Sequence, residues 1–556
     1  MTTPPNPPRT LVLGATGFLG RWLVLELLGR GEPVAAAVRP GGSQSGAQNT
    51  GPRDRELRHW LRAHGVDDRP LTTVAADLTR PGLGLTPEDD ARLAEVRDVH
   101  NLAARYRFGL DRAEAHAANV DGALTALHWA ATRPELRRLV HLSGYRVGRD
   151  TAPRHPLPPA ETDALYAELG AYEASKQLGD AAVRVTAARL GVPLSTVNPS
   201  SVIGHSVTGE AGQYLGLAEL VRQLWSGRLP LLPGTARTFL PVVAVDHLAR
   251  FLAAVPEFDD GPAHSHTVLD PATPPLPELI ALVAEHLGVP APRGRVPVGL
   301  VRRLPRALTG ADPETLTFLT EDTYDTTSAD RLAEAAGLRH PPVAELLRRW
   351  ATRLVADGFG ADEPAGDVPD DVQSASMEGE FTELAGVRTF LRGERHEPRH
   401  VLLLGPDADT VAWRQATSGL TGPALAADLP GCGRSAGAAA HDEEWLAALL
   451  EPVRSRPVLV THQATAAPAL RYAAAHPDRI AGLLLIAPPA DTPNGRSPAP
   501  TPPGHRPGAA RRAARRLREA RRPARRRELA RLTADCPVPV EVITATLPTR
   551  RSSATP

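Results

Sequence analysis

The run Gly14-Ala15-Thr16-Gly17-Phe18-Leu19-Gly20 constrains this chain more than any other stretch. It follows a short β-rich run, Leu11 to Leu13, and leads into an apolar-periodic stretch through Leu23, Leu27 and Leu28. Between a strand and a helix, glycines at this spacing make the turn tight, let the backbone approach a pyrophosphate and let the helix pack on the sheet. The free N–H groups at the helix start then face the anion. A second β-rich run, Val34 to Val38, comes at the distance a dinucleotide-binding unit requires, so a bound dinucleotide is favoured over a merely structural turn.

The same alternation continues through Leu71 to Ala76, Val99 to Ala103, Leu139 to Leu142 and Leu194 to Val197, each succeeded by a stretch of helical period. This βαβ rhythm predicts an α/β fold with a Rossmann-type, doubly wound parallel sheet. From about Thr208 to Phe359 the rhythm loosens into helices such as Leu217 to Leu224 and Val343 to Leu354, which suits a small substrate-facing lobe. At 556 residues the chain exceeds one hydrophobic core. Residues 358–377 are acidic, rich in Gly, Pro and Ser, and poor in apolar side chains, as a linker is. The predicted domains are 1–357 and 378–556. The second is again α/β, with strands at Val387 to Leu391, Val401 to Leu404, Val458 to Val460, Ile480 to Ile486 and Val538 to Ile543.

A formal net charge of +0 gives no overall attraction to nucleic acid or an anionic membrane. No apolar run reaches the roughly 18 residues of a membrane span, and the first residues lack a signal-peptide pattern. Two cysteines, Cys432 and Cys536, make no disulfide framework, so a cytoplasmic protein is expected. Among 63 Lys plus Arg residues the sole lysine is Lys176, which points to a position where a guanidinium does not serve.

At the end of the second strand, where an acid would bind the ribose hydroxyls of NAD, stands Arg39, and Arg21 directly succeeds the glycine loop. Cations here favour the additional phosphate of NADP, so NADPH is the expected cofactor. The alternative is two solvated surface arginines. Asp77-Leu78 falls where related sheets hold the adenine, or else Asp77 only forms a turn.

Tyr172-Glu173-Ala174-Ser175-Lys176 places a phenol and an ammonium on one helix face. A tyrosine of ordinary pKa near 10 is a poor proton donor and acceptor at neutral pH, and a neighbouring ammonium favours its phenolate. Lys176 also has the reach to hold a nicotinamide ribose. Ser143 ends the fifth strand in His141-Leu142-Ser143-Gly144-Tyr145, placed to bind a substrate carbonyl or merely to cap the next segment. Asn119 precedes that strand and is read either as holder of a relay water or as a tolerated helical asparagine.

The order of these motifs, with Asn101-Leu102-Ala103-Ala104, Asn119-Val120-Asp121-Gly122 and Asn198-Pro199-Ser200-Ser201-Val202-Ile203-Gly204, resembles an extended short-chain dehydrogenase/reductase over about 355 residues. The resemblance implies Ser143, Tyr172, Lys176 and Asn119 as catalytic residues. It also implies that Gly14, Thr16, Gly17, Phe18, Leu19, Gly20, Arg21, Arg39, Asp77, Leu78, Ala103, Lys176, Asn198, Pro199 and Val202 bind the cofactor. Phe239-Leu240-Pro241-Val242-Val243 with Asp246, and Tyr324-Asp325-Thr326-Thr327, resemble the thioester-reductase and fatty-acyl-reductase branch. That branch implies reduction of a small-molecule or carrier-protein-bound acyl thioester, or of the carbonyl derived from it. Gly144 departs from the branch, where a threonine often stands. An alcohol or ketone dehydrogenase, a nucleotide-sugar epimerase or dehydratase of the same fold, and a non-catalytic scaffold remain as rivals.

Residues 378–546 resemble an α/β-hydrolase through Asp428-Leu429-Pro430-Gly431-Cys432-Gly433-Arg434-Ser435 and Ala475-His476-Pro477-Asp478-Arg479. Where that family presents a nucleophile, Thr461-His462-Gln463-Ala464-Thr465 carries an amide, which implies a degenerate, non-catalytic domain. His462 is the alternative there as a surviving functional group, and an incidental histidine is the favoured reading. The stretch from Arg506 to Arg531 holds twelve arginines; its Arg511-to-Arg531 part is read as a dock for an acidic carrier protein, or as a solvated helix.

Overall fold

The computed structural model describes residues 7–40, 51–104, 110–147, 152–301, 316–360, 379–405, 417, 420–437, 442–462, 465–487, 505–520 and 522–544. The chain forms two compact units. The first comprises Met1–Gly216, Leu231–Leu282 and Pro292–Trp350; the second comprises Leu217–Pro230, Val283–Ala291 and Ala351–Pro556.

The first unit is built on seven parallel strands: β1 (Thr10–Leu13), β2 (Val34–Val38), β3 (Leu71–Ala75), β4 (Asp98–Asn101), β5 (Arg138–Leu142), β6 (Leu194–Pro199) and β7 (Ala263–Val268). Their order across the sheet is β7-β6-β5-β4-β1-β2-β3. Strand β1 pairs with β2 on one side and β4 on the other, so Val12 lies level with Ala36 and His100. The strand order reverses there, and such a crevice at the carboxyl ends of the strands is where doubly wound sheets bind ligands. The pleat sends Val12 to one face, with Leu23, Leu27 and Phe251, and Leu11 and Leu13 to the other, with Val99, Ala123 and Leu127. Both faces are covered by helices, which is why the strands read as apolar runs. Strand β7 escaped the sequence pattern because Ala-His-Ser-His-Thr-Val carries two histidines on an edge strand.

The second unit has its own seven-stranded sheet: β8 (Gly379–Leu384), β9 (Val387–Gly393), β10 (His400–Leu404), β11 (Ala424–Asp428), β12 (Val458–His462), β13 (Gly482–Ala487) and β14 (Val540–Thr544). Its order is β8-β9-β11-β10-β12-β13-β14, antiparallel at the first two pairings and parallel beyond. Strand β8, Gly-Glu-Phe-Thr-Glu-Leu, and the short, Ala-rich β11 had no clear period in the sequence. Two segments expected in the first domain belong to this unit. Trp225 packs at 6.0 Å from the Phe381 ring, and Arg388 donates to the main-chain oxygen of His286 at 2.6 Å. Most of the expected linker, residues 361–377, lies outside the described residues. Among the described residues no helix is long and apolar enough to cross a membrane.

Candidate active site

Gly14 leaves β1 with φ +82°, a conformation that favours glycine, and a Cβ there would meet Ala103 N and Leu102 C, both at 2.9 Å. A Cβ on Gly20 would stand 2.0 Å from Gly14 O. Thr16 and Gly17 are exposed while Phe18 and Gly20 are buried, so the loop turns one side to the core and the other to solvent. Gly17 caps helix α1 (Phe18–Gly29) without a side-chain hydrogen bond, and the first turn holds no acid. The leading N–H groups are thereby left for an anion, and this cradle fits a dinucleotide pyrophosphate. Ala103 N donates to Asn101 Oδ1 at 3.3 Å, which fixes the strand end facing Gly14. At the end of β6, Asn198 is fully buried and donates to Ser265 Oγ at 2.8 Å, with Pro199 beside it. Val202 lies half-buried in a short ladder pairing Ser201–Ile203 with Val242–Ala244.

The two arginines proposed from the sequence for the NADP phosphate have different surroundings. Arg39 is exposed beyond β2. Arg21 stands 3.6 Å from Glu210 and lies over the Trp60 ring at 4.8 Å. Glu210 also accepts from Trp60 Nε1 at 3.0 Å and pairs with His64 Nε2 at 2.8 Å. Burial alone would raise the Glu210 carboxyl, but the hydrogen bonds from His64 and Trp60 hold it at about 2. Asp77 Oδ1 accepts from Thr79 N at 3.0 Å and Thr79 Oγ1 at 2.7 Å, a turn-forming arrangement that lowers its pKa, with Arg80 and Arg39 adding to the effect. Leu78 turns toward Gly122 and the core.

Tyr172 opens the second part of helix α2 (Pro159–Leu190), which breaks at Gly170 with φ 82° and ψ 174°. One turn on, Lys176 is buried and its Nζ donates to Leu142 O at 3.0 Å. Burial lowers the Lys176 pKa to about 8, with Asp180 opposing only in part. Asp180 lies a further turn along, 2% exposed and 3.5 Å from Arg184. Burial raises its carboxyl, while Arg184, Ser143 and Lys176 pull it back. Ser143 Oγ is buried within electrostatic reach of Asp180, without a well-formed hydrogen bond to it. His141, beneath Lys176, has Nδ1 3.3 Å from Asn101 Nδ2 and is pushed down to about 3 by burial and then by the lysine.

Asn119 sits in a widened π turn, Ala117–Asp121. Its Nδ2 donates to Ser175 Oγ at 2.9 Å, and Ser175 Oγ donates to Tyr172 O at 2.8 Å. The two helices meet at Gly179, where a Cβ would be 2.2 Å from Asn119 O. Hydrogen bonds thus link Lys176 to the end of β5 beside Ser143, and Asn119 through Ser175 to the main chain of Tyr172, one turn before Lys176. Asp180, Ser175 and His141 were missed in the sequence. The signal for Asp180 was present, since Tyr172, Lys176, Asp180 and Arg184 recur every fourth residue.

In the second unit Asp428 ends β11, and its Oδ2 accepts from Arg434 N at 2.7 Å. Cys432 in that turn is pushed up to about 11 by burial, far from a reactive thiolate. His462 is buried at the end of β12, and Gln463 lies outside the described residues.

Residues 12–252 match the family model described as "Male sterility protein", an NAD-binding domain. The chain is 29% identical over 256 residues to an isonitrile lipopeptide synthase of Streptomyces coeruleorubidus, covering 44% of this chain and 16% of that protein. It is 28% identical over 237 residues to tetraketide alpha-pyrone reductase 1 of Arabidopsis thaliana, covering 40% of this chain and 67% of that one. Against the solved terminal R domain from the myxalamid PKS-NRPS biosynthetic pathway the TM-score is 0.49 at 22% identity, over 63% of this chain and 92% of that domain.

Proposed function

From a chain whose residues 12–252 belong to the extended short-chain dehydrogenase/reductases of the Male sterility protein type, enzymes that use a nicotinamide cofactor, we propose an NADPH-dependent reductase of an acyl thioester or the carbonyl derived from it. The observation that carries the proposal is the buried Lys176, one helical turn after Tyr172, bonded to Leu142 O at the strand end that carries Ser143. When bound, NADPH supplies hydride. Gly14, Thr16, Gly17 and Gly20 with the start of α1 hold its pyrophosphate, and the exposed Arg39 meets the 2′-phosphate. Tyr172 donates its phenolic proton to the substrate oxygen, and the Lys176 ammonium stabilises the phenolate left behind. Asn119 steadies Tyr172 through Ser175. Ser143, whose hydroxyl is buried beside Asp180 at the end of β5, binds the substrate oxygen.

The relatives named isonitrile lipopeptide synthase support an acyl substrate, which in this reading arrives on a carrier protein. Arg511, Arg515, Arg518, Arg522, Arg525, Arg526, Arg527 and Arg531 are exposed on two helices of the second unit and suit an acidic carrier. The strand order of that unit agrees with a hydrolase-like fold. Its inert Cys432 and the amide of Gln463 favour a non-catalytic domain, in a cytoplasmic protein.

A ketone substrate is favoured by Gly144, which lacks the threonine hydroxyl, and is compatible with the plant relatives named tetraketide alpha-pyrone reductase 1 and dihydroflavonol 4-reductase. The deciding experiment monitors NADPH and NADH oxidation with acyl-pantetheine thioesters, and separately with ketones and aldehydes. NADPH loss on thioesters, abolished by Lys176→Arg, supports the proposal. Turnover of ketones alone transfers the chain to the ketone reductases, and absence of cofactor binding overturns both. An NADPH preference that survives Arg39→Ala unchanged removes Arg39 from the phosphate site.

A further inference from the structure

Asp259, His264 and His266 form a cluster in the first unit that the reductase chemistry does not use. Their ligand atoms all lie within 4.8 Å of one another. His264 and His266 stand two residues apart on edge strand β7, so both imidazoles project from the same face. Asp259 comes directly after the helix Val245–Phe258, and the intervening turn folds its carboxylate onto them. Its Oδ1 pairs with His264 Nδ1, and its Oδ2 with His266 Nε2 at 2.9 Å.

The surroundings of these three side chains are organised. His266 Nδ1 meets Ser328 Oγ at 2.8 Å, which leaves Nε2 directed at the carboxylate. Such a hydrogen bond on the far ring nitrogen fixes a ligating histidine. Ser195 Oγ donates to Asp259 Oδ2 at 2.5 Å. Arg138 donates to the main-chain oxygens of Asp259 and, at 2.6 Å, Gly261, tying the turn down. Gly261 leaves room for the ring of His264, since a Cβ there would fall 2.1 Å from His264 Cε1. The side chains of Asp259 and His266 are 1% and 4% exposed and that of His264 is 45% exposed, so the cluster has a rigid floor and one side open to solvent.

We propose that Asp259, His264 and His266 bind a divalent transition-metal ion, with Zn²⁺ the best fit. Two imidazoles and one carboxylate with a fourth, solvent-facing position match a tetrahedral zinc set, whose metal–ligand distances are about 2.0–2.2 Å. The ion takes the place of the protons that the two imidazoles share with the carboxylate, and those protons pass to solvent. His264 pairs with Ser195 at the start of β6, whereas Ser143 lies past the far end of β5. The ion therefore lies at the opposite end of the strands from Tyr172 and clamps edge strand β7 to the turn before it, with no part in hydride transfer.

The test uses the full chain, stripped with a chelator and titrated with Zn²⁺ by calorimetry and with Co²⁺ by visible absorption. One ion per chain is expected, with the intense Co²⁺ bands of a four-coordinate site. His264→Ala, an exposed change that leaves the strand intact by circular dichroism, abolishes both signals, while His59→Ala keeps them. Ser328→Ala weakens binding by about 10-fold or more, as loss of a partner to a ligating histidine does. Absence of saturable uptake overturns the proposal, as does uptake that His264→Ala leaves unchanged; either outcome leaves Asp259 as the hub of a hydrogen-bonded clamp.

Discussion

Lys176 Nζ is held 3.0 Å from the carbonyl oxygen of Leu142, so the one lysine of the chain is anchored to the strand end that also carries Ser143. Replacing it with Met is expected to lower kcat by about 10²–10⁴-fold, the range of a lost acid–base contribution. Lys176→Arg is expected to fall nearly as far, because the guanidinium cannot take the place of a compact ammonium in a buried slot. The pH response has a defined sign. The folded lysine loses its proton near pH 8, whereas the unfolded one holds it to about 10.5, so this group makes the protein more stable as pH rises between those values. Turnover by the parent is expected to decline above about pH 8. Lys176→Met removes the rise in stability and is no less stable than the parent at pH 7. Melting curves against pH, beside steady-state rates, check both statements.

Gly170 interrupts helix α2 with φ 82° and ψ 174°, a region open essentially to glycine alone. Gly170→Ala is expected to cost about 1–3 kcal/mol and to move Tyr172, two residues on, relative to Lys176. Denaturant titration reads the first effect and a fall in kcat with little change in cofactor affinity reads the second. An unchanged midpoint refutes the strain argument.

Two glycines of the cofactor loop have separable roles. A Cβ on Gly20 collides with Gly14 O at 2.0 Å, while one on Gly17 comes no nearer than 3.3 Å to the same atom. Gly20→Ala is therefore expected to destabilise by about 1–3 kcal/mol, the usual cost of overpacking. Gly17→Ala is expected to leave the melting midpoint nearly unchanged and to weaken NADPH binding at least about 10-fold, since its methyl group occupies the pyrophosphate's approach. Cofactor titration by fluorescence, paired with melting curves, separates the two.

Glu210 gathers Trp60, His64 and Arg21 beside the first turn of α1. Glu210→Gln is expected to cost about 1–3 kcal/mol at neutral pH, because buried donors lose a charged acceptor. The carboxylate sits near 2 when folded against 4.5 ordinarily, so its contribution is complete above 4.5 and disappears as pH falls toward 2. His64 behaves oppositely. Burial opposes its protonation, but hydrogen bonds to Glu210 and to Trp60 O raise its pKa, so its contribution is complete below 6.5 and is lost as pH climbs through the raised value. The variant should flatten the stability profile at both ends, and parallel profiles would count against the network.

Much of the first sheet was legible because each buried parallel strand is a short apolar run bounded by turn residues, and because glycine spacing reports backbone geometry directly. The placement of Tyr172 and Lys176 on one helix was legible because helical spacing alone puts i and i+4 on one face. The features that escaped depended on contacts between elements. Ser143 is visible as a hydroxyl at a strand end, but its burial against Asp180 is set by how α2 packs on β5. Arg21 reads as a phosphate ligand until Glu210, far along the chain, is folded onto it. His264 and His266 disguised an edge strand as a polar loop. The expected boundary near residue 358 rested on composition, yet packing draws Leu217–Pro230 and Val283–Ala291 into the second unit.

That interleaving bears on where the chain can be cut. Arg506 in the second unit donates to Leu287 O at 2.6 Å and Gly288 O at 2.9 Å and lies 4.9 Å above the Trp225 ring, so residues late in the sequence provide the seat for segments encoded far upstream. A cut after residue 357 would therefore leave Leu217–Pro230 and Val283–Ala291 without the late residues that seat them, so the second unit is separable only together with segments encoded well before its main body.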